Sequence, residues 1–452
     1  MIDVAAAVEG CAVDRGLDGY VADSLYPSNF HAAFAPPNID AMLAQAGIAS
    51  PRGPARRRPF TMVDIGCGDG VGLILNAAAH PEGHFIGIDG NPDHIAHGRA
   101  VAARVGLSNI DLASHYFADA RAALPAGIAD YVQCQGVLAW VGEANRGHVL
   151  ALSAQLLKPG GVLAVGYNCL PGWTPILAFQ QMLRALAAGI DGTPGERFEG
   201  GLAALRETGL FDAGHWEWID GLRDHLPADY FAHEYLNANW TPLWSGAVLD
   251  AAAAYGLVPA GQARPGRLRP DFAFKAAWRK TLAAIASPAA RECAADLLTG
   301  TWFRTDLFLK GAGRALAPAE RDRARLAGWW AATQPADAVH FEARTSAGTI
   351  RFDNDAARAI VRALAGGPQP LGAIEGIGSA DLFNAIDALF MAGAVVPVDP
   401  PADVPLAAAT HAALLAMGAG AVNGCVGRHG VARIARGALA DLDAENRGRL
   451  GI

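Results

Sequence analysis

Residues Val63 to Gly72 read Val-Asp-Ile-Gly-Cys-Gly-Asp-Gly-Val-Gly: an apolar strand start runs into an acid and then into alternate glycines. Gly66, Gly68 and Gly70 let the chain turn sharply out of a strand and bring backbone amides against a ligand, because no Cβ stands in the way. A dinucleotide fold would space these glycines G-x-G-x-x-G and set a pyrophosphate on the following helix. Here position 71 is Val and the third glycine comes one place early, so a ligand without a pyrophosphate is expected. Asp64 closes the first strand, and Cys67 reads as a small residue packed in the turn that Asp69 fixes. A second acid, Asp89, ends His84–Asp89 and is followed by Gly90. In a doubly wound fold this is where a carboxylate accepts hydrogen bonds from a ribose diol.

These residues need a parallel sheet to bring them to one edge. Asn91-Pro92 opens a helix running to about Val105, with Pro at a tolerated first-turn position. Asn109 to Tyr116 reads as a third strand, with Phe117-Ala118-Asp119 at its end, and Ala129 to Gly136 as a fourth. Leu157-Lys-Pro-Gly-Gly161 turns into a fifth, Val162 to Asn168. Five strands separated by helix-length segments specify a doubly wound α/β sheet, whose ligands sit at the carboxyl ends of the strands. Gln135, Trp140, Tyr167 and Asn168 fall at the ends of strands four and five, where an acceptor would lie beside the ligand. Trp140 and Trp173 serve equally as core residues, and a cap on the next helix is the alternative for Tyr167 and Asn168.

A chain of 452 residues holds two or three domains, and 52% hydrophobic against 18% charged residues gives a large core. The net charge of −8 leaves no basic footprint for nucleic acid. The one basic run, Arg52 to Arg58, lies among prolines and reads as a solvated linker. Six dispersed cysteines have neither a C-x-x-C pair nor Cys/His metal spacing, so no metal site is expected. The start of the chain lacks a basic n-region, and the Ala-rich stretch 406–422 falls short of a membrane span. A cytoplasmic protein without a membrane span is expected.

Residues 1–59 read as a helical lid or cap, with Tyr26 placed to reach an acceptor. Residues 60–275 form the sheet domain with a helical insertion over 190–240, and this core closes near Lys275. Residues 276–324 read as helical. Residues 325–400 combine two short strands, Ala338–Ala343 and Gly348–Phe352, with two helices and a last strand at 394–398, which suggests a winged helix. Ala380 to Gly393 carries two aspartates and no Lys or Arg, so a protein contact is favoured over DNA. Residues 401–452 form a helical tail.

The glycine turn resembles the D/E-x-G-x-G-x-G motif of class I S-adenosylmethionine (SAM) methyltransferases. Further segments follow in order: Tyr26-Pro-Ser28, Gln135-Gly-Val-Leu-Ala-Trp140, Tyr167-Asn-Cys-Leu-Pro-Gly-Trp173, His233-Glu-Tyr-Leu-Asn237 and Trp302-Phe-Arg-Thr-Asp-Leu307. Together they resemble bacterial methyltransferases with a regulatory middle domain, the group that includes rickettsial protein-lysine methyltransferases. The resemblance implies SAM as cofactor, held by Asp64, Gly66, Cys67, Gly68, Gly70, Asp89, Gly90, Ala118, Asp119 and Gln135, with the acid of the third strand end near the adenine. It also implies a protein or peptide substrate and often a homodimer. Gln135, Ala139 and Gly142 depart from the group's fourth-strand pattern, and Ala35-Pro36 replaces a histidine-proline step. These departures lie on the acceptor side. From the group's signature and the acidic, multi-domain architecture N-methylation of protein lysine is expected, with Tyr26, Gln135, Trp140, Tyr167 and Asn168 around the acceptor. A small metabolite or peptide natural product stays open as the acceptor, and a catalytically silent SAM-binding partner is a third reading.

Overall fold

A computed structural model describes residues 28–53, 57–224, 228–417 and 423–433. Its centre is a sheet of β1 (Phe60–Ile65), β2 (Gly83–Asp89), β3 (Ile110–Ser114), β4 (Ala129–Gln135), β5 (Leu157–Asn168), β6 (Leu257–Gln262) and β7 (Phe303–Lys310). Their spatial order is β3-β2-β1-β4-β5-β7-β6. The first five strands run parallel, and β7 is antiparallel to both β5 and β6. The strands are near-continuous apolar runs because both faces are covered. Val63, Ile65, Ile88 and Val132 pack on one face, and Met62, Phe85, Tyr131 and Ala164 on the other. Strand order reverses between β1 and β4, which opens a crevice at their carboxyl ends.

The core does not close near Lys275. Helices Ala276–Ala283 and Pro288–Thr299 intervene, and then β7 enters the sheet between β5 and β6, so residues 276–324 are not all helical. In the insertion, helices Pro194–Glu207, Ala213–Arg223 and Ala228–Tyr235 pack around Phe179, Phe198 and Phe231.

Residues 325–400 contain β8 (Trp329–Ala332), β9 (Glu342–Thr345), β10 (Gly348–Arg351), β11 (Gln369–Pro370) and β12 (Val395–Val398). The strand expected over Ala338–Ala343 is instead a 3-10 turn, Ala336–Ala338, followed by β9. β9 pairs with β10 alone, whereas β12 and β11 flank β8. Helices Asp355–Leu364 and Ser379–Met391 cover this unit's core. Beyond it, the helix Ala407–Ala416 is joined by a hairpin, β13 (Gly424–Gly427) with β14 (Gly430–Arg433), so the tail is not helical throughout. Cys425 and Val426 pack with Phe30 and Leu75 against the helix Val71–Ala79.

The basic run contains a fully buried residue rather than being a solvated linker throughout. Arg52 has no exposed surface. Its guanidinium donates to Asp40 Oδ2 at 2.9 Å and, through two nitrogens, to Asp399 at 2.8 and 2.9 Å. Tyr131 donates its hydroxyl to Asp40 Oδ1 at 2.6 Å. Buried charges persist when paired and hydrogen-bonded in this way. Although burial alone would raise it, the carboxyl of Asp399 is held down at about 2 by Arg52.

Candidate functional site

Gly66, Gly68 and Gly70 have φ values of 78°, 58° and 70°, in the left-handed region where a side chain is strained. The amides of Gly66 and Cys67 donate to Ile88 O at 2.8 and 3.0 Å, which fastens the turn to β2. A Cβ on Gly66 would stand 2.4 Å from Val137 Cγ2, so clearance as well as conformation demands glycine there. Asp69 Oδ1 accepts from the amide of Val71 at 3.1 Å, at the start of the next helix, and its Oδ2 accepts from the Ser28 hydroxyl. At the end of β2, Asp89 Oδ2 accepts from Gly68 N at 2.9 Å and Oδ1 from Asn91 N at 2.8 Å. That carboxylate is immobilised by the turn it faces.

Asp64 lies opposite Gln133 in the β1–β4 register, and Gln133 Nε2 donates to Asp64 Oδ2 at 2.5 Å. Burial raises the carboxyl of Asp64 to about 7; the Gln133 hydrogen bond opposes the rise and the charge of Asp89 adds to it. Burial, followed by Asp89 and Asp64, pushes the thiol of Cys67 well up and keeps it protonated. Two residues along β4, Gln135 sits beside Gly166 of β5. A Cβ on Gly166 would lie 1.8 Å from Gln135 Oε1, so the glycine makes the space that the carboxamide fills.

These ends enclose a cavity of about 920 Å³. It is lined by Asp64, Gly66, Cys67, Gly68, Asp89, Gly90, Gln135, Trp140 and Asn168, all expected from sequence. Asp64 Oδ1, Asn76 Oδ1 and Gln135 Oε1 are buried along it without a hydrogen-bond partner among the described residues. Such atoms fit a ligand bearing amine and hydroxyl donors.

Four expected residues are not on the wall. Gly70 lies behind it, capping the helix Val71–Ala79. Ala118 and Asp119 point to solvent, because β3 stops at Ser114 and puts His115, Tyr116 and Phe117 at its mouth instead. Tyr167 belongs to the core on the opposite face of β5, since side chains alternate along a strand. Its hydroxyl donates to Asp306 Oδ2 at 2.6 Å, beside the ion pairs of Arg304 with Asp306, Asp296 and Glu292. Tyr26 falls outside the described residues.

The wall also carries residues not assigned to it from sequence: His31, Tyr230, His233, Glu234, Arg264 and Phe303. His233, Glu234 and Phe303 fall within segments whose order along the chain was legible, but no spacing in the sequence assigned their side chains to the cavity. Arg264 follows β6 in a loop with no motif.

Residues 58–191 match the family described as a methyltransferase domain. This chain is a SAM-dependent methyltransferase. Residues 227–310 match a second family, the predicted methyltransferase regulatory domain. In the methyltransferase this segment contains β6 and β7, so it completes the central sheet. A protein of Synechocystis sp. is 25% identical over 369 residues, covering 79% of this chain and 71% of its own length. A Rickettsia prowazekii protein is 30% identical over 122 residues, covering 27% of this chain and 48% of its own. The structure of PKMT2 from Rickettsia typhi in complex with AdoHcy aligns with a TM-score of 0.63 at 18% identity. That alignment covers 82% of the methyltransferase and 77% of PKMT2 and shows a shared fold. The methyltransferase resembles the class I enzymes that carry a regulatory domain. Among the described residues no helix is long and apolar enough to cross a membrane.

SAM supplies a methyl group made electrophilic by its sulfonium. The chain's own task is to hold donor and acceptor in line and keep water out. Beside the glycine turn Asp89 offers a carboxylate to the cavity, and Gln135 and Asn168 offer carboxamides.

Proposed function

We propose that this methyltransferase acts on the side-chain nitrogen of lysine in a protein. The observation carrying this reading is the aromatic end of the cavity, past Gln135 and Asn168, where Trp140, Trp173, Trp302 and Phe303 line the wall. Trp173 meets Trp302 edge to face at 6.0 Å and donates its indole N–H to the backbone carbonyl of Trp302 at 2.7 Å, which orients the Trp173 ring. Aromatic faces attract ammonium and methylammonium groups. The carbonyls of Gln135 and Asn168 accept an N–H while the apolar surroundings favour the neutral amine that attacks.

Donor contacts are assigned to match: Asp89 takes the ribose diol, the turn of Gly66 and Gly68 passes beneath, and Tyr116 and Phe117 take the adenine in place of Ala118 and Asp119. Residues 325–400, read as winged-helix-like, serve as a protein-contact module; their helix Ser379–Met391 has no basic residue. Five described cysteines are free thiols, which suits a cytoplasmic location. A homodimer is inferred from the resembled group.

Incubation with methyl-labelled SAM and a lysate of the host tests the acceptor. The expected result is label on a protein band that resists alkali, as an N-methyl group does. Label confined to the small-molecule fraction would overturn the protein reading and favour a metabolite.

A further inference from the structure

Trp240 supports the aromatic wall of the cavity without lining it. The helix Ala228–Tyr235 ends where Gln180 donates to Tyr235 O at 2.9 Å, and the buried Asn237 side chain then accepts from Asn239 N at 3.3 Å. An Asn that bonds the backbone two residues on turns the chain. Trp240 follows that turn and is buried, with 5% of its surface exposed. The next residues are stitched to the loop after β4 and to the end of β5. Thr241 N donates to Ala139 O at 2.7 Å, and Leu243 N to Asn168 O at 2.9 Å.

This path sets Trp240 between two rings of the wall. Its ring centre lies 6.2 Å from that of Trp140, with the planes at 48°, and 5.2 Å from that of Trp173, with the planes at 81°. Both separations fall in the range over which aromatic rings attract. Trp173 continues to Trp302 at 6.0 Å, and Trp302 to Phe303 at 6.2 Å. Trp140, Trp173, Trp302 and Phe303 line the cavity, so one buried ring behind them joins the part of the wall that follows β4 to the part that follows β5. The indole Nε1 of Trp240 has no hydrogen-bond partner among the described residues. A buried donor left unpaired is a cost, so the ring and not its N–H is what the wall uses.

We propose that Trp240 is a positioning residue for methyl transfer: it sets the gap between Trp140 and Trp173, and with it the line along which the acceptor meets the donor. This rests on the reading of that wall as the acceptor's, and not on the acceptor being a lysine. A misplacement of about 1 Å can cost roughly 100-fold in rate. The glycine turn and Asp89 belong to β1 and β2, so the donor's affinity should not feel the change.

Methyl-labelled SAM with a dilution series of host lysate tests this, with label counted in the protein and small-molecule fractions and S-adenosylhomocysteine affinity measured by calorimetry. Trp240→Leu, which stays apolar but loses the ring, should lower transfer at least tenfold with affinity within twofold of wild type, which also reports an intact fold. Trp240→Phe, which keeps a ring, should bring transfer back to within threefold of wild type. Wild-type transfer in Trp240→Leu would overturn the proposal, as would Trp240→Phe no better than Trp240→Leu. A tenfold loss of affinity in either variant would also overturn it, since Trp240 would then support the whole cavity. Trp140→Ala separates the proposal from the reading beneath it: if it too keeps full transfer, the wall is not the acceptor's, and if it alone loses transfer, only the role of Trp240 falls. Label found in the small-molecule fraction but still lost in Trp240→Leu would keep the positioning role and refute the lysine.

Discussion

Asp89 accepts from the backbone with each carboxylate oxygen, Oδ2 from Gly68 and Oδ1 from Asn91, and lines the cavity. Asp89→Ala removes a charged acceptor, the hydrogen bond that holds Gly68 of the turn and the one that holds the Asn91 amide at the start of the next helix. Hydrogen bonds to charged groups contribute about 1.5–3 kcal/mol, so the Kd for SAM should rise roughly 10- to 100-fold by calorimetry. Unchanged affinity would refute the ribose assignment. Asp64 makes a different prediction. Its carboxyl, raised to about 7 chiefly by burial, is mostly protonated at pH 6 and mostly ionised at pH 8. A cationic donor favours the ionised form, so SAM affinity should rise with pH through about 7, and Asp64→Asn should flatten that rise. An equal pH slope in the variant would show that Asp64 is not the titrating group. The place of Asp64 was legible in sequence from the glycines after it. Its protonation state was not, because that depends on burial and on Gln133, a neighbour supplied only by the register of β4.

At the level of elements, the acceptor side is built where β4 and β5 mesh. Gln135 and Gly166 are register partners, and a Cβ on Gly166 would meet Gln135 Oε1 at 1.8 Å and Phe34 Cζ at 3.1 Å. Gly166→Ala should displace the carboxamide and lower methyl transfer at least tenfold, with SAM affinity within twofold of wild type. In a Gln135→Ala background the same substitution should cost markedly less, since residues in contact couple by about 0.5–3 kcal/mol. Additive effects would show that Gly166 serves the fold and not Gln135. Strands β1 to β5 were readable because strands buried on both faces are short apolar runs between turns. β7 was not read as a sheet strand: Arg304 and Asp306 interrupt its apolar pattern, and they are tolerated because they pair with each other at 2.9 Å and Arg304 also pairs with Asp296 and Glu292. Tyr167 misled for a related reason. Its neighbour Asn168 faces the cavity, and alternation sends Tyr167 to the far side of β5, where burial and Asp306 push its hydroxyl well above the ordinary range.

Across the whole molecule, the two ends of the described chain meet over the donor site. Asn423 accepts from Phe30 N at 2.7 Å and donates to Asn29 Oδ1 at 2.6 Å, holding the strap that also carries Ser28 onto Asp69. The segment leading to Asn423 is itself fastened by Asp399 to Arg52, with His80 alongside at 3.5 Å. A basic run among prolines looks solvated until the fold brings an aspartate from 347 residues away, so no local pattern could have exposed this lock. Asp399→Ala takes from a buried guanidinium the carboxylate that holds two of its nitrogens, and breaking a buried pair costs about 3–5 kcal/mol. The carboxyl of Asp399 is depressed to about 2 from 3.8. The sign follows: its contribution is present above about pH 4 and is lost as pH falls through 2. Wild-type stability in denaturant should therefore drop between pH 4 and pH 2, and the variant, already weaker at pH 7, should lose less over that range. Because the same lock steadies the strap over Asp69, Asp399→Ala should also weaken SAM binding. A variant with lowered stability and wild-type SAM affinity would separate the lock from the donor site.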